Sequence, residues 1–477
     1  MVFSSITFLF FFLPLVVVLY HVAPRPARNA ILLIASLLFY LWGAGVFVLL
    51  LLAAIVTNYI VGFVVQTAHE RGNRLLAGIC ITISIITSLV ILGWFKYANF
   101  FVDALNQFGG YLGTAELAWS HIVLPIGISF YTFQSMSYVI DVARGKANAM
   151  RNPIDFALYV SFFPQLIAGP IVRFHEIDRQ IRRRSERWDD FCEGTIRFAW
   201  GLAKKVVIAD AAGAIQVRAF DIPIEDLTTE AAWIGLFAFT VQLYFDFSGY
   251  SDMAIGLGRM FGFKLPENFR RPYASLSFTD FWRRWHITLS TWFRDYLFFP
   301  MGGSKGSTAK VVFNLAVLFV LVGIWHGAGW TFLIWGAYNA LLMIWERLTK
   351  RNFTDPEAVS SPLRRRIITV FMLMMGWPIF MCPTVASALQ YYARLFDFEF
   401  HGTGALGPWL APENVILMIL GGLTVFLPHD FYGGLWITRS NSRSARLARA
   451  GLLLIVFPWT LMLIISGTFS PFIYFQF

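Results

Sequence analysis

Residues 311–345 read VVFNLAVLFVLVGIWHGAGWTFLIWGAYNALLMIW, an apolar run with no Asp, Glu, Lys or Arg and with one imidazole, His326, in its middle. The run is longer than the ~20 residues needed to cross a bilayer, so lipid rather than a soluble core is its natural surrounding. Apolar stretches precede it near residues 6–22, 30–42, 46–65, 76–95, 122–140, 154–171, 196–218 and 230–250, and follow it near 367–386, 413–428 and 450–468. Hydrophobic residues make up 57% of the chain and charged residues 14%, against a charged share of roughly 25% in soluble domains. So few charges could not cover soluble cores built from that many apolar runs. These features predict an all-α polytopic integral membrane protein with about ten to twelve transmembrane helices, the shorter runs being tilted, paired, re-entrant or amphipathic. Neither a large soluble domain nor the internal repeat of inverted-half transporters is visible. A single transmembrane domain over residues 1–477 is therefore expected.

Charge sets the expected orientation. The first run has no basic segment before it and is followed by Arg25 and Arg28, the reverse of a cleavable signal peptide. It is expected to stay attached with its N-terminus outside. Basic segments at Arg71–Arg74, Arg173–Lys205, Arg270–Arg294, Arg347–Arg366 and Arg439–Arg449 are candidates for the cytoplasmic face, which leaves the final run ending outside. The net charge of +10 then reflects topology, and no nucleic acid partner is expected. Trp42, Trp94, Trp330, Trp345 and Trp436 lie near run ends, where amphipathic rings anchor at the headgroups of the membrane lipid. Cys80, Cys192 and Cys382 are far apart and suggest neither a disulfide framework nor a metal site.

Three constellations carry chemistry. Residues 280–297, DFWRRWHITLSTWFRDYL, place Trp282, Trp285, His286, Leu289, Trp292, Phe293 and Tyr296 on one stripe at helical spacing. Ser277 to Asp280 reads as a capping box at the start of that helix, and Pro300, Gly302 and Gly303 stop it. An interfacial amphipathic helix would explain the pattern, except that such a helix has no reason to turn His286 toward lipid. The second constellation is His326, because an ionisable ring at membrane depth is a functional hypothesis by default; a hydrogen-bonded structural histidine is the alternative. Gly323, Gly327 and Gly329 beside it allow close backbone approach or a break between helices. The third is QLYFDFSGYSDMAIGLG at 242–258, with Asp246 and Asp252, joined by Asp141 at the end of another run. Those carboxylates could orient an imidazole, cap a broken helix or mark the membrane boundary.

Imidazole suits acyl transfer: its neutral form, with a pKa of roughly 6.5, accepts a proton from an attacking hydroxyl and returns it to a leaving thiolate. A low-dielectric setting favours that neutral form. The remaining histidines, at 21, 69, 121, 175, 401 and 429, lie in connections or near run ends, where solvated or interfacial roles suffice. Phosphate-binding, zinc-protease and serine-hydrolase motifs are absent from the sequence.

Four segments together resemble one family closely: YFDFSGYSDMAIGLGRMFGF at 244–263, PENFRRPY at 266–273, FWRRWHITLSTWFRDYLFFPMGG at 281–303 and LVGIWHGAGW at 321–330. The family is the membrane-bound O-acyltransferase superfamily, and within it the integral membrane subunits of bacterial alginate O-acetylation. The opening MVFSSITFLFFFLP, the segment FFPQLIAGPIVR at 162–173 and the ending FSPFIYFQF are similar too. The resemblance implies a helical fold enclosing a tunnel, with the family's near-invariant histidine at His326 and its second active-site position, Asn in some relatives, at His286. It implies acetyl-CoA as the donor, entering from the cytoplasm, without a metal. It also implies export of the acetyl group across the bacterial inner membrane to a periplasmic or membrane-anchored acetyltransferase partner, which completes transfer to a polysaccharide. Alginate, cellulose and peptidoglycan stay open as the polymer. Arg283 and Arg294 are weak candidates for the anionic end of coenzyme A, since guanidinium matches phosphate geometry; positive-inside topology is the stronger account of them. A secondary transporter using His and Asp as a proton relay and a purely structural subunit are the rival readings.

Overall fold

The computed structural model describes residues 2–467, 472 and 473; most of the FSPFIYFQF ending lies outside them. Among the described residues every regular element is helical. The chain divides into two compact units, one of residues up to 192 with Leu257–Pro266, the other of Glu193–Gly256 with Glu267 onward.

In the first unit, helices α1 (Arg28–Ala44) and α2 (Val48–Glu70) form one long apolar stretch that is broken at Gly45. Gly45 adopts φ +55°, a value open to glycine and strained for residues with a Cβ. Helix α3 (Arg74–Tyr111) is 38 residues long, or ~57 Å at 1.5 Å per residue. It is fastened to α2 where the buried Ser84 hydroxyl donates to Asn58 Oδ1 at 3.0 Å. Helix α4 (Ile128–Ala143) packs against both and is buried along nearly its whole length, polar residues included. The apolar run at 154–171 is not one continuous helix: it folds as Pro153–Ser161 and Phe163–Leu166, because Pro164 and the Gly169–Pro170 pair interrupt it.

The second unit is organised around α5 (Trp188–Ala203) from Glu193 onward and α6 (Thr229–Met260) as far as Gly256. They meet backbone to backbone: a Cβ at Gly201 would lie 2.6 Å from the Gly249 carbonyl oxygen, and one at Gly256 would lie 2.6 Å from that of Gly194. Glycine at both contacts lets two helices approach this closely. Short helices α7 (Phe278–Arg284) and α8 (Ile287–Phe293) follow, then the hairpin of α9 (Thr308–His326) and α10 (Trp330–Thr349), and then α11 (Pro362–Met374) and α12 (Trp377–Met381).

Five helical segments among the described residues are long and apolar enough to cross a membrane: Arg25–Glu70, Arg74–Tyr111, Thr229–Met260, Thr308–His326 and Arg443–Ile465. Phe8–Val22 and Pro412–Phe426 are shorter apolar helices. The polytopic all-helical class thus holds; the expected count of ten to twelve, which includes shorter runs, is not fixed by these five segments. Trp42, Trp94, Trp330 and Trp345 are exposed as anchors should be, whereas Trp436 is half-buried.

Candidate active site

The site is built on two interruptions of helical structure within the second unit. The first lies at His286. The helical spacing of residues 280–297 predicts one continuous helix, but the chain stops at Arg284, passes through His286 in the left-handed region (φ 43°, ψ 52°), and restarts at Ile287. The Ser277 cap is present, its hydroxyl accepting from the Asp280 amide at 3.0 Å. Asp280 answers by accepting from Leu276 N at 3.1 Å. What breaks the helix is the segment 268–270. Arg270 N donates to Arg284 O and Ile287 N donates to Asn268 O, each at 2.9 Å, and these bonds replace helical ones across the kink. The segment does not lie on a surface either, for Trp282, Trp285, His286, Leu289 and Trp292 are all buried.

Asn268 also sets the His286 ring. Its Oδ1 accepts from the Thr288 amide at 3.1 Å and from the Thr288 hydroxyl at 2.9 Å, and it stands 3.2 Å from His286 Nδ1. A backbone N–H can only donate, so the amide atom facing it is the oxygen, and Nδ1 must carry the hydrogen. The proton-accepting lone pair of the neutral ring is thereby assigned to Nε2. His286 lies outside the five long apolar helices, and its full burial pushes its pKa down to about 3. Phe247 stands edge-on to the ring at 4.7 Å and Phe269 stacks at 6.3 Å.

The second interruption is at His326, the last residue of α9. Gly327 and Gly329 take extended backbone and separate α9 from α10. The two helices touch at Gly323 and Gly336, where a Cβ at the latter would lie 2.5 Å from the Phe319 carbonyl oxygen. Both expectations for these glycines, close approach and a break, are therefore met. The buried His326 ring sits among Trp325 at 4.9 Å, Trp335 at 5.1 Å and Phe380 at 5.4 Å. Trp325 is shared: it also lies 5.9 Å from His286. The two imidazoles thus flank one indole within a water-excluding aromatic wall.

Arg283 and Arg294 come together, with Arg347, on a cavity of about 480 Å³. Its wall residue Trp282 lies 6.1 Å from Trp335, which contacts His326. Arg294 pairs with Asp295 at 2.9 Å, while Arg283 and Arg347 show no ion pair among the described residues. A second cavity of about 540 Å³ is walled by Phe269, next to His286, and lined by Arg197, Lys204, Arg270 and Arg271. Its cations are largely committed. Arg197 bonds Asp252 at 2.8 Å and Glu267 at 2.6 Å, Lys204 bonds Asp252 at 2.9 Å, and Arg271 donates to carbonyls of Thr424, Leu427 and Pro428.

The acidic candidates divide. Asp252 and Asp246 touch neither site histidine; Asp246 pairs with Lys205 at 3.1 Å and accepts from Ile473 N at 2.7 Å. Both sit inside a buried helix as ion-pair anchors, which none of the three expected roles describes. Asp141 does orient an imidazole, that of His175 at 2.7 Å, in the first unit. His429, expected in a solvated or interfacial role, is buried, with Nε2 2.6 Å from Arg284 and 3.5 Å from Asp280. Sequence reasoning passed over Asn268 and Glu267, although the motif PENFRRPY contains both. Among the described residues no three His, Cys, Asp or Glu side chains gather as metal ligands.

A sequence profile described as MBOAT, membrane-bound O-acyltransferase family, matches residues 81–389. The chain belongs to this family. It is accordingly a multi-pass membrane acyltransferase. It is similar to the "Probable alginate O-acetylase AlgI" of Azotobacter vinelandii, 41% identical with 100% of both chains covered. It also matches the protein of that name from Pseudomonas aeruginosa, 46% identical over 91% of this chain and 81% of the relative. The peptidoglycan O-acetyltransferase of Helicobacter pylori is 35% identical over 82% of this chain and 79% of the relative. Family membership sets aside the transporter and purely structural readings.

Proposed function

We propose that this chain passes acetyl groups from cytoplasmic acetyl-CoA across the bacterial inner membrane toward hydroxyls of an exopolysaccharide, alginate before cellulose or peptidoglycan. The full-length similarity to proteins named alginate O-acetylase supports the polymer, and the lower identity to a peptidoglycan O-acetyltransferase ranks that alternative second. A periplasmic or membrane-anchored partner completes the transfer. The two units act as one domain, since the family match from 81 to 389 runs through both.

The observation that carries the chemistry is His326 at a helix end inside an aromatic cage, one indole away from His286. His326 takes the proton from the attacking hydroxyl as its oxygen bonds the thioester carbonyl, then returns it to the departing thiolate. His286, whose Nδ1–H is held by Asn268, offers Nε2 as an acceptor and so orients the attacking hydroxyl. The phosphates of coenzyme A suit the cavity of Arg283, Arg294 and Arg347, where two of three guanidiniums lack a carboxylate among the described residues.

His326→Ala is expected to accumulate in the membrane at near-normal level while exported polymer loses its acetyl esters. His326→Gln retains hydrogen bonding but has no proton-accepting nitrogen at neutral pH, so it too is expected to be inactive. Acetyl content per inserted protein is the measurement, and substantial acetylation by His326→Gln would place the proton transfer elsewhere.

A further inference from the structure

A cavity of about 700 Å³ lies between α10 and α11, apart from both histidine cavities. Its rim carries Arg351, Arg364 and Arg365; its one carboxylate is Glu346. That carboxylate is already engaged at the start of α7, accepting from the amides of Phe278 at 2.7 Å and Thr279 at 2.8 Å and from the Thr279 hydroxyl at 2.9 Å. Among the described residues none of the three arginines forms an ion pair, and although Arg365 lies near enough to Glu346 to act on it electrostatically, three guanidiniums against one carboxylate leave the rim with an excess of positive charge. Arg351 instead lies over the Trp345 ring at 5.6 Å, and Arg365 over Phe353 at 4.5 Å.

The floor has the opposite character. Leu341 and Ile368, which line it, are 66% and 49% exposed. They lie along the helices from the polar connection 350–361, about one turn before Trp345 on α10 and one turn after Arg364 on α11. An exposed Trp at a helix end marks the headgroup level, so the arginines stand at that level and the apolar floor runs toward the acyl chains. A ligand matching both halves must join an anion to a hydrocarbon chain, a requirement that a soluble phosphate compound does not meet.

We infer that this cavity is a binding site for one anionic phospholipid, its phosphate held by Arg351, Arg364 and Arg365 and a chain laid along Leu341 and Ile368. Guanidinium groups bind phosphate oxygens in paired hydrogen bonds, and basic pockets between membrane helices on one face are where anionic headgroups are recognised. Through Glu346 the bound lipid also adjoins the helix that leads into His286.

The test uses the full chain in nanodiscs of phosphatidylcholine with a minor share of phosphatidylglycerol, followed by native mass spectrometry. One phosphatidylglycerol is expected to stay bound in preference to phosphatidylcholine. The triple variant Arg351→Gln/Arg364→Gln/Arg365→Gln is expected to lose that preference, by about fivefold for each arginine removed. Arg443→Gln/Arg446→Gln, which removes exposed charge elsewhere, should retain it. Ile368→Trp, which fills the floor but keeps the charge, should lose the lipid as well. Should the triple variant unfold, Ile368→Trp and the rise of wild-type unfolding temperature with phosphatidylglycerol over phosphatidylcholine still decide. Equal retention of both lipids by the wild type, equal loss in the Arg443/Arg446 variant, or displacement of the lipid by millimolar glycerol phosphate would overturn the assignment.

Discussion

Asn268 is the residue on which the His286 geometry turns, because one oxygen receives three donors there. Asn268→Ala leaves those donors buried without an acceptor, a loss of roughly 1–3 kcal/mol in stability, and with the His286 tautomer no longer fixed, acyl transfer per inserted protein is expected to fall, by about tenfold for each 1.4 kcal/mol of transition-state stabilisation lost. Asn268→Asp keeps the acceptor but puts a carboxylate beside the ring, which favours the imidazolium. His286 is then neutral, as its role as an acceptor requires, only at higher pH, so the acid limb of the pH–rate profile should move upward. An unmoved limb with simple loss of protein would make Asn268 purely structural. His286 itself sits at φ 43°, a conformation that Asn tolerates better than other L-residues. His286→Asn should therefore accumulate and acetylate better than His286→Ala, by quantitative immunoblot and ester assay.

At the scale of elements, the crossing of α5 and α6 holds the buried charges in register. Gly201 meets the Gly249 carbonyl, and the same stretch of α6 carries Asp252 to Arg197 and Lys204. Gly201→Val is expected to force the helices apart, at about 1–3 kcal/mol for overpacking plus the larger penalty of separating a buried ion pair. Monodisperse protein on size exclusion should then be lost. Gly78→Val is the control, since a Cβ there meets nothing within 4 Å; equal behaviour of the two would refute the close crossing. The helix break at His286 was illegible locally, as the spacing and cap of 280–297 favour a continuous helix. It arises from backbone bonds to Asn268 and Arg270, whose partners the spacing of a single segment does not reveal.

For the whole molecule, orientation and division of labour are the testable properties. Arg184 is bonded to Tyr20 and the Phe261 carbonyl, so the exposed neighbour Arg183 is the position to probe. With Cys80, Cys192 and Cys382 replaced, Arg183→Cys should resist an impermeant thiol reagent in intact cells and react after permeabilisation. Ready labelling of intact cells would reverse the proposed topology. Purified protein given acetyl-CoA and polymer should leave the polymer unmodified; efficient esterification by this chain alone would remove the need for a partner.

Membrane residence, helical class and acyl-transfer family were all legible in the sequence, because apolar run length and long motifs are local properties of the chain; the roles proposed for His286 and His326 rest on the same motifs and are what the variants test. The division of the apolar runs into helices was not, since apolarity does not say whether a run such as 154–171 stays one helix or folds into short pieces. Tertiary structure alone decided the tautomer of His286, the burial of His429 and the engagement of Asp246 and Asp252 with lysines and an arginine. Each of these depends on which distant group supplies the hydrogen bond or opposite charge that a buried polar atom requires, and that partner is chosen by packing.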